Sequence, residues 1–192
     1  NTTEPLPPSI IDGLKRGVAK LAKVETYTGY GDEQGNTELR EALAARYTGY
    51  GVTLEPDEFF VSDGAKPDSA NIQSIFGTDN VVAVQDPAYP VYVDSNVIAG
   101  RTGEAVNGQY EGFVYMPCTK ENGFFPDLDA IDPATADRAK LFYVNYPNNP
   151  TGAAATEDFF DKLIAFAQKH NILIVQDAAY ATLVYGRDGL SI

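Results

Sequence analysis

The chain has 192 residues, enough for a sizeable core, with 12 Tyr and 10 Phe against disorder. One His (His170), one Cys (Cys118), one Met and no Trp exclude a Cys/His zinc site, an internal disulfide, and any catalytic triad not built on His170. Fourteen basic against 27 acidic residues give a net charge of −13, which argues against nucleic acid and anionic membrane as partners.

Thr2 to Pro8 reads as extended, because Pro5, Pro7 and Pro8 block a helix. Ser9 is the expected cap of a helix with Ile11, Leu14, Val18 and Leu21 on one face. A glycine-rich loop with exposed aromatics follows at Tyr27-Thr28-Gly29-Tyr30-Gly31. Thr37 is the expected cap of a second helix, with Leu39, Leu43 and Tyr47 on one face and Gly49 as its stop. Glu58 to Ser62 reads as a strand, and Gly64-Ala65-Lys66 as the turn into a helix running through Ser69 to Phe76. Val81 to Gln85 is a second strand and Leu141 to Asn145 a third, with residues 101 to 138 irregular between them. A helix from about Glu157 to Lys169 turns Phe159, Leu163 and Phe166/Ala167 inward, and Ile172 to Gln176 is a last strand. Near-continuous apolar strands between amphipathic helices predict an α/β fold with a mostly parallel sheet covered on both faces. The apolar runs are too short to span a bilayer and no targeting motif is seen, so a cytoplasmic location is expected.

Ligands of open α/β sheets bind at the carboxyl ends of the strands. Four such ends carry suggestive residues. Ser62-Asp63-Gly64-Ala65-Lys66 offers a helix N-terminus and a lysine to an anion, or is an ordinary strand-to-helix turn. Asp86-Pro87-Ala88-Tyr89-Pro90 holds Tyr89 in a stiff loop, as a platform for a planar ligand or as core packing. In Tyr146-Pro147-Asn148-Asn149-Pro150-Thr151-Gly152 the proline confines Asn149 and can aim its amide, unless the loop is purely structural. Asp177-Ala178-Ala179-Tyr180 places a carboxylate at a strand end. It could hold a magnesium ion, cap a helix, or keep a heterocyclic N–H protonated. The first use lacks a Walker-type phosphate loop as its partner. The set together suits a flat, phosphorylated, nitrogenous ring.

Asn149-Pro150-Thr151-Gly152, Asp177-Ala178-Ala179-Tyr180 and Asp86-Pro87-Ala88-Tyr89-Pro90 resemble the class I/II aminotransferases of the fold-type-I pyridoxal-phosphate group. The resemblance spans the whole chain. Asn1-Thr2-Thr3-Glu4-Pro5-Leu6-Pro7 and Tyr30-Gly31-Asp32-Glu33-Gln34-Gly35 are similar to the more specific motifs of the branch acting on LL-diaminopimelate. That resemblance implies transfer of an amino group from LL-2,6-diaminopimelate to 2-oxoglutarate, a step of lysine biosynthesis, with pyridoxal 5′-phosphate as cofactor. It implies that Ala65 and Lys66 bind the cofactor phosphate, that Tyr89 stacks on its ring, that Asn149 and Tyr180 bond its 3-oxygen, and that Asp177 pairs with its ring nitrogen. Lys66, Tyr89 and Asn149 would also touch substrate. Tyr30 would reach the neighbouring site of a homodimer. A cis Asn149–Pro150 bond is implied too.

The resemblance places residues 1–50 as an arm and helices leading into the large domain, and 51–192 as the N-terminal part of that cofactor-binding domain. The chain lacks an initiator Met and stops at Ser191-Ile192, so a piece of a longer protein is expected, a trimmed complete domain being the alternative. No residue of the chain is assigned as catalytic: the family's Schiff-base lysine, in an SxSK-type motif, and its two arginines would lie beyond Ile192. The chain alone is therefore expected to be inactive, and its sheet to be discontinuous. A plastid location after loss of a transit peptide stays open beside the cytoplasm. Tyr146 departs from the small residue or Cys often found there. Alternatives are a related transaminase acting on aspartate or aromatic amino acids, and a non-catalytic aminotransferase-like module. A nucleotide-binding protein fits less well, with no dinucleotide or phosphate-loop motif. His170, in a last helical turn, and Cys118, after a proline, are assigned no chemistry.

Overall fold

The computed structural model describes residues 3–186, 189–190 and 192. Asn1, Thr2 and Ser191, which belong to the segments read above at the two ends, lie outside the described residues. The chain divides into two compact units, Asn1–Ser62 and Asp63–Ile192.

In the first unit, α1 spans Pro8–Lys20. Its N-cap is Pro7, with Pro8 in the first turn and no side-chain cap bond, so Ser9 sits inside the helix and does not cap it. Proline's fixed φ and missing N–H start the helix without help from a hydroxyl. Ile11, Leu14, Val18 and Leu21 are all exposed. Helix α2 spans Thr37–Thr48 and ends at Gly49. Its cap is Asn36, not Thr37: the Asn36 Oδ1 accepts the Leu39 N–H at 3.1 Å. Gly35, with φ +106°, lies so close to Val61 that a Cβ there would collide with its side chain. Arg40 donates to the Gly35 and Pro56 carbonyls at 3.1 and 3.0 Å, tying the loop before α2 to the later turn. Glu58 to Ser62 is not a strand. A 3₁₀ turn occupies Pro56–Glu58, and Phe59 is extended but unpaired in any ladder. Extended apolar residues alone do not make a strand without a neighbour to bond.

The second unit begins with α3, Ala65–Asn71, continued by a 3₁₀ turn at Ile72–Ile75. Then come β1 (Val81–Asp86), α4 (Val91–Ile98), the short hairpin β2 (Ala105–Val106) and β3 (Gln109–Tyr110), and β4 (Phe113–Pro117). They are followed by α5 (Pro133–Arg138), β5 (Ala139–Asn145), α6 (Glu157–His170) and β6 (Leu173–Asp177). Four strands form one sheet in the order β4-β1-β5-β6, every pair parallel. The predicted α/β class and parallel sheet are thus seen, but the four described strands pair without a gap, so the sheet is continuous and not discontinuous as expected. The sequence missed α4, β4 and α5. The α4 segment is rich in Val and Ile, whose branched side chains favour strands over helices, and β4 is an edge strand with only Met116 fully buried.

The central strands β1 and β5 are buried along almost their whole length. One face packs Phe142, Val144, Phe159, Phe160 and Leu163 into a cluster with α6. The other packs Val82, Val84, Leu141 and Tyr143 against Tyr92 of α4. Alternate strand residues feed opposite faces, so both need apolar side chains. Tyr146, the departure noted above, is a core residue here, buried against Phe125, Phe159 and Phe160, with its O–H donating to the Phe124 carbonyl at 2.8 Å. His170 ends α6 with its Nδ1 2.6 Å from Asp137 Oδ1. Among the described residues, no helix is long and apolar enough to cross a membrane.

Thr156 caps α6, its Oγ1 accepting the Phe159 N–H at 3.2 Å. Thr156→Ala removes that acceptor and is expected to cost about 1 kcal/mol, read by chemical denaturation. An unchanged midpoint would show that the helix start is held by packing alone.

Candidate functional site

All strand carboxyl ends of the sheet face one edge, and the candidate residues of the second unit gather there. Ala65 and Lys66 form the exposed first turn of α3, after Gly64, whose φ of +140° suits only glycine. The Lys66 ammonium sits 5.7 Å from the centre of the Tyr89 ring. Tyr89, half-buried, lies just after the cis Asp86–Pro87 bond. It meets Tyr92 edge-on, ring centres 5.8 Å apart. Tyr92 is almost fully buried and stacks flat on Tyr143 at 4.9 Å.

The Tyr92 O–H donates to Asp177 Oδ2 at 2.7 Å. The Ala179 N–H donates to Oδ1 at 3.2 Å. Two donors therefore converge on this half-buried carboxylate. Burial, then the bond and the charge of Asp177, push the Tyr92 phenol far above its ordinary range, so it remains a donor. On the next strand, Asn145 faces Asp177 in register and donates from Nδ2 to the Asp177 carbonyl at 2.8 Å.

Asn149 follows in the loop after β5. The Asn149–Pro150 bond is cis, as the resemblance implied. Its N–H donates to Asn145 Oδ1 at 2.6 Å. The neighbouring Asn148 builds the turn, its Oδ1 accepting from the Thr151 N–H and O–H. The Asn149 side chain is half-buried and makes no hydrogen bond among the described residues. Tyr180 is partly exposed in the turn beyond β6.

A continuous run of contacts thus links Lys66, Tyr89, Tyr92, Asp177, Asn145 and Asn149. Four of these were candidates from sequence. Tyr92 and Asn145, which join them, carried no assigned role there, though a polar residue ending an apolar strand is a usable signal. Tyr180 makes no described side-chain contact with the run. Tyr30 belongs to the first unit and is fully exposed, at 105%. The arrangement offers a fixed carboxylate, an aromatic face with an ammonium beside it, and an unbonded amide, all at one edge of a sheet.

The profile of the family described as aminotransferase class I and II matches residues 1–191. An LL-diaminopimelate aminotransferase of Desulfosudis oleivorans is 45% identical over 185 residues, which is 96% of this chain and 44% of that protein. A chloroplastic LL-diaminopimelate aminotransferase of Arabidopsis thaliana is 46% identical over 183 residues, 94% of this chain and 38% of that protein. The solved L,L-diaminopimelate aminotransferase from Chlamydomonas reinhardtii superposes with a TM-score of 0.86 and 46% identity, covering 98% of this chain and 45% of that one. The chain therefore spans less than half the length of these relatives.

Proposed function

We propose, since the chain belongs to the class I and II aminotransferase family, that the whole protein moves an amino group from LL-2,6-diaminopimelate to 2-oxoglutarate with pyridoxal 5′-phosphate as cofactor. The identity to enzymes named for that substrate supports the reading. The observation that carries the cofactor is the run from Lys66 to Asn149, whose donor set fits the group: a carboxylate for a ring N–H, a phenol face for the ring, and an unbonded amide for a ring oxygen.

When bound, the cofactor supplies an electron sink for the amino-acid carbon. Asp177 would hold the ring nitrogen protonated, Tyr92 and the Ala179 N–H keeping the carboxylate in place. Tyr89 would lie against the ring, fixed edge-on by Tyr92. The first-turn N–H groups at Ala65 and Lys66, with the lysine's charge, would hold the phosphate. Asn149 and Tyr180 would bond the ring's 3-oxygen. Lys66, Tyr89 and Asn149 would also contact the amino-acid and 2-oxo-acid substrates. We further propose a homodimer in which Tyr30 enters the neighbouring site, its full exposure leaving it available. Residues 1–50 would be the arm leading into the cofactor-binding domain of which 51–192 is the N-terminal part. A cytoplasmic location is proposed, although the plant relative is chloroplastic.

The test is glutamate formation by the whole protein with 2-oxoglutarate and competing donors. LL-diaminopimelate should exceed aspartate and tyrosine by at least about 100-fold in kcat/KM, because donors lacking its second amino acid end would leave built polar groups unpaired. Equal rates with aspartate would overturn the substrate.

A further inference from the structure

We infer that Asn145 is a positioning residue that sets Asn149 against Asp177, so that the ring-oxygen and ring-nitrogen contacts act as one unit. This rests on the cofactor reading above. Asn145 is 1% exposed and ends β5, opposite Asp177 in register. Each of its amide groups is bonded. Its N–H donates to Gln85 Oε1 of β1 at 2.8 Å, its Nδ2 to the Asp177 carbonyl of β6 at 2.8 Å, and its Oδ1 accepts from the Asn149 N–H at 2.6 Å. Gln85 Oε1 also takes a bond from Asn148 Nδ2 at 3.5 Å, bracing the same loop from below. One buried residue therefore joins the ends of three adjacent strands, through its backbone N–H to β1 and its side-chain amide to β6 and the Asn149 loop.

A buried amide is costly unless each polar atom is paired, and here no partner can move without leaving another unpaired. The Asn149 side chain has no described bond of its own. Its aim comes from its backbone, which Asn145 holds on one side and the Pro150 ring restricts on the other. Asn145 need not touch the cofactor to govern it.

The experiment is a double-variant cycle on cofactor affinity in the whole protein. Apo protein is titrated with pyridoxal 5′-phosphate and followed by absorbance, for the parent, Asn149→Ala, Asn145→Ala and the double variant, with apo melting temperatures alongside. Asn149→Ala should weaken binding about tenfold in the parent but under about threefold when Asn145 is already Ala, because the amide is then no longer aimed. An Asn145 that only stabilises the fold would lower the melting temperature and leave the full tenfold effect of Asn149→Ala. That outcome overturns the inference. If Asn145→Ala does not fold, Asn145→Thr, which is close to Asn in volume and suits a strand but lacks the Oδ1 that accepts the Asn149 N–H, completes the same cycle. A parent protein that binds no pyridoxal 5′-phosphate overturns the cofactor reading itself, which additive effects on a binding parent do not.

Discussion

Asp177→Asn in the whole protein should lower turnover by about 10²- to 10³-fold while moving the melting temperature little. The substitution keeps the shape at the end of β6, and the amide oxygen can still accept from the Tyr92 O–H. What disappears is the negative charge opposite the proposed ring nitrogen. Electrostatic groups placed before the reaction contribute most of such rate differences, because they need no reorganisation as charge develops. Asp177→Ala should lose as much turnover. It should also lose stability, because the buried Tyr92 phenol is then left without its acceptor. The pair of variants separates charge from support. Turnover within about threefold of the parent in Asp177→Asn would remove Asp177 from the proposed chemistry.

The sequence was informative where local chemistry is self-sufficient. Val81 to Gln85 and Leu141 to Asn145 read as buried strands because every residue between the flanking turns is apolar until the last. Tyr89, Asn149 and Asp177 stood out because prolines or a strand end hold them. What the sequence did not reveal depends on partners far along the chain. Tyr92 lies 85 residues from Asp177, and Gln85 lies 60 from Asn145. No local pattern announces such a bond. The Glu58 to Ser62 segment shows the opposite error: strand-like residues that pair with no strand among the described residues. At helix starts the miss was by one or two positions, Asn36 for Thr37 and Pro7 for Ser9. Neighbouring residues there compete for one role, and only the bonded geometry decides between them.

The largest loss of stability tied to the site should come from Tyr143→Ala, at about 3–5 kcal/mol by chemical denaturation of the whole protein. Tyr143 is fully buried on β5, its ring flat against Tyr92 and its O–H donating to the Ser69 carbonyl at 2.8 Å. One side chain thus connects β5 to α3 and, through Tyr92, to the carboxylate of Asp177. A loss below about 1 kcal/mol would mean that the stack does not hold Tyr92 in place. Tyr143→Phe keeps the ring and removes only the hydroxyl, so about 1 kcal/mol is expected at neutral pH. At alkaline pH the comparison should invert in part. Burial pushes the Tyr143 phenol from 10.0 up to about 12. The unfolded chain gives up its proton first, so the protonated phenol's contribution is complete below pH 10 and declines as pH rises through about 12. Phenylalanine has no proton to lose. The denaturation midpoint of Tyr143→Phe should therefore fall less than the parent's between these pH values, although Tyr92, also shifted upward by burial, leaves both proteins some alkaline decline. Parallel declines in the two proteins would show that the buried hydroxyl of Tyr143 is not a source of the loss.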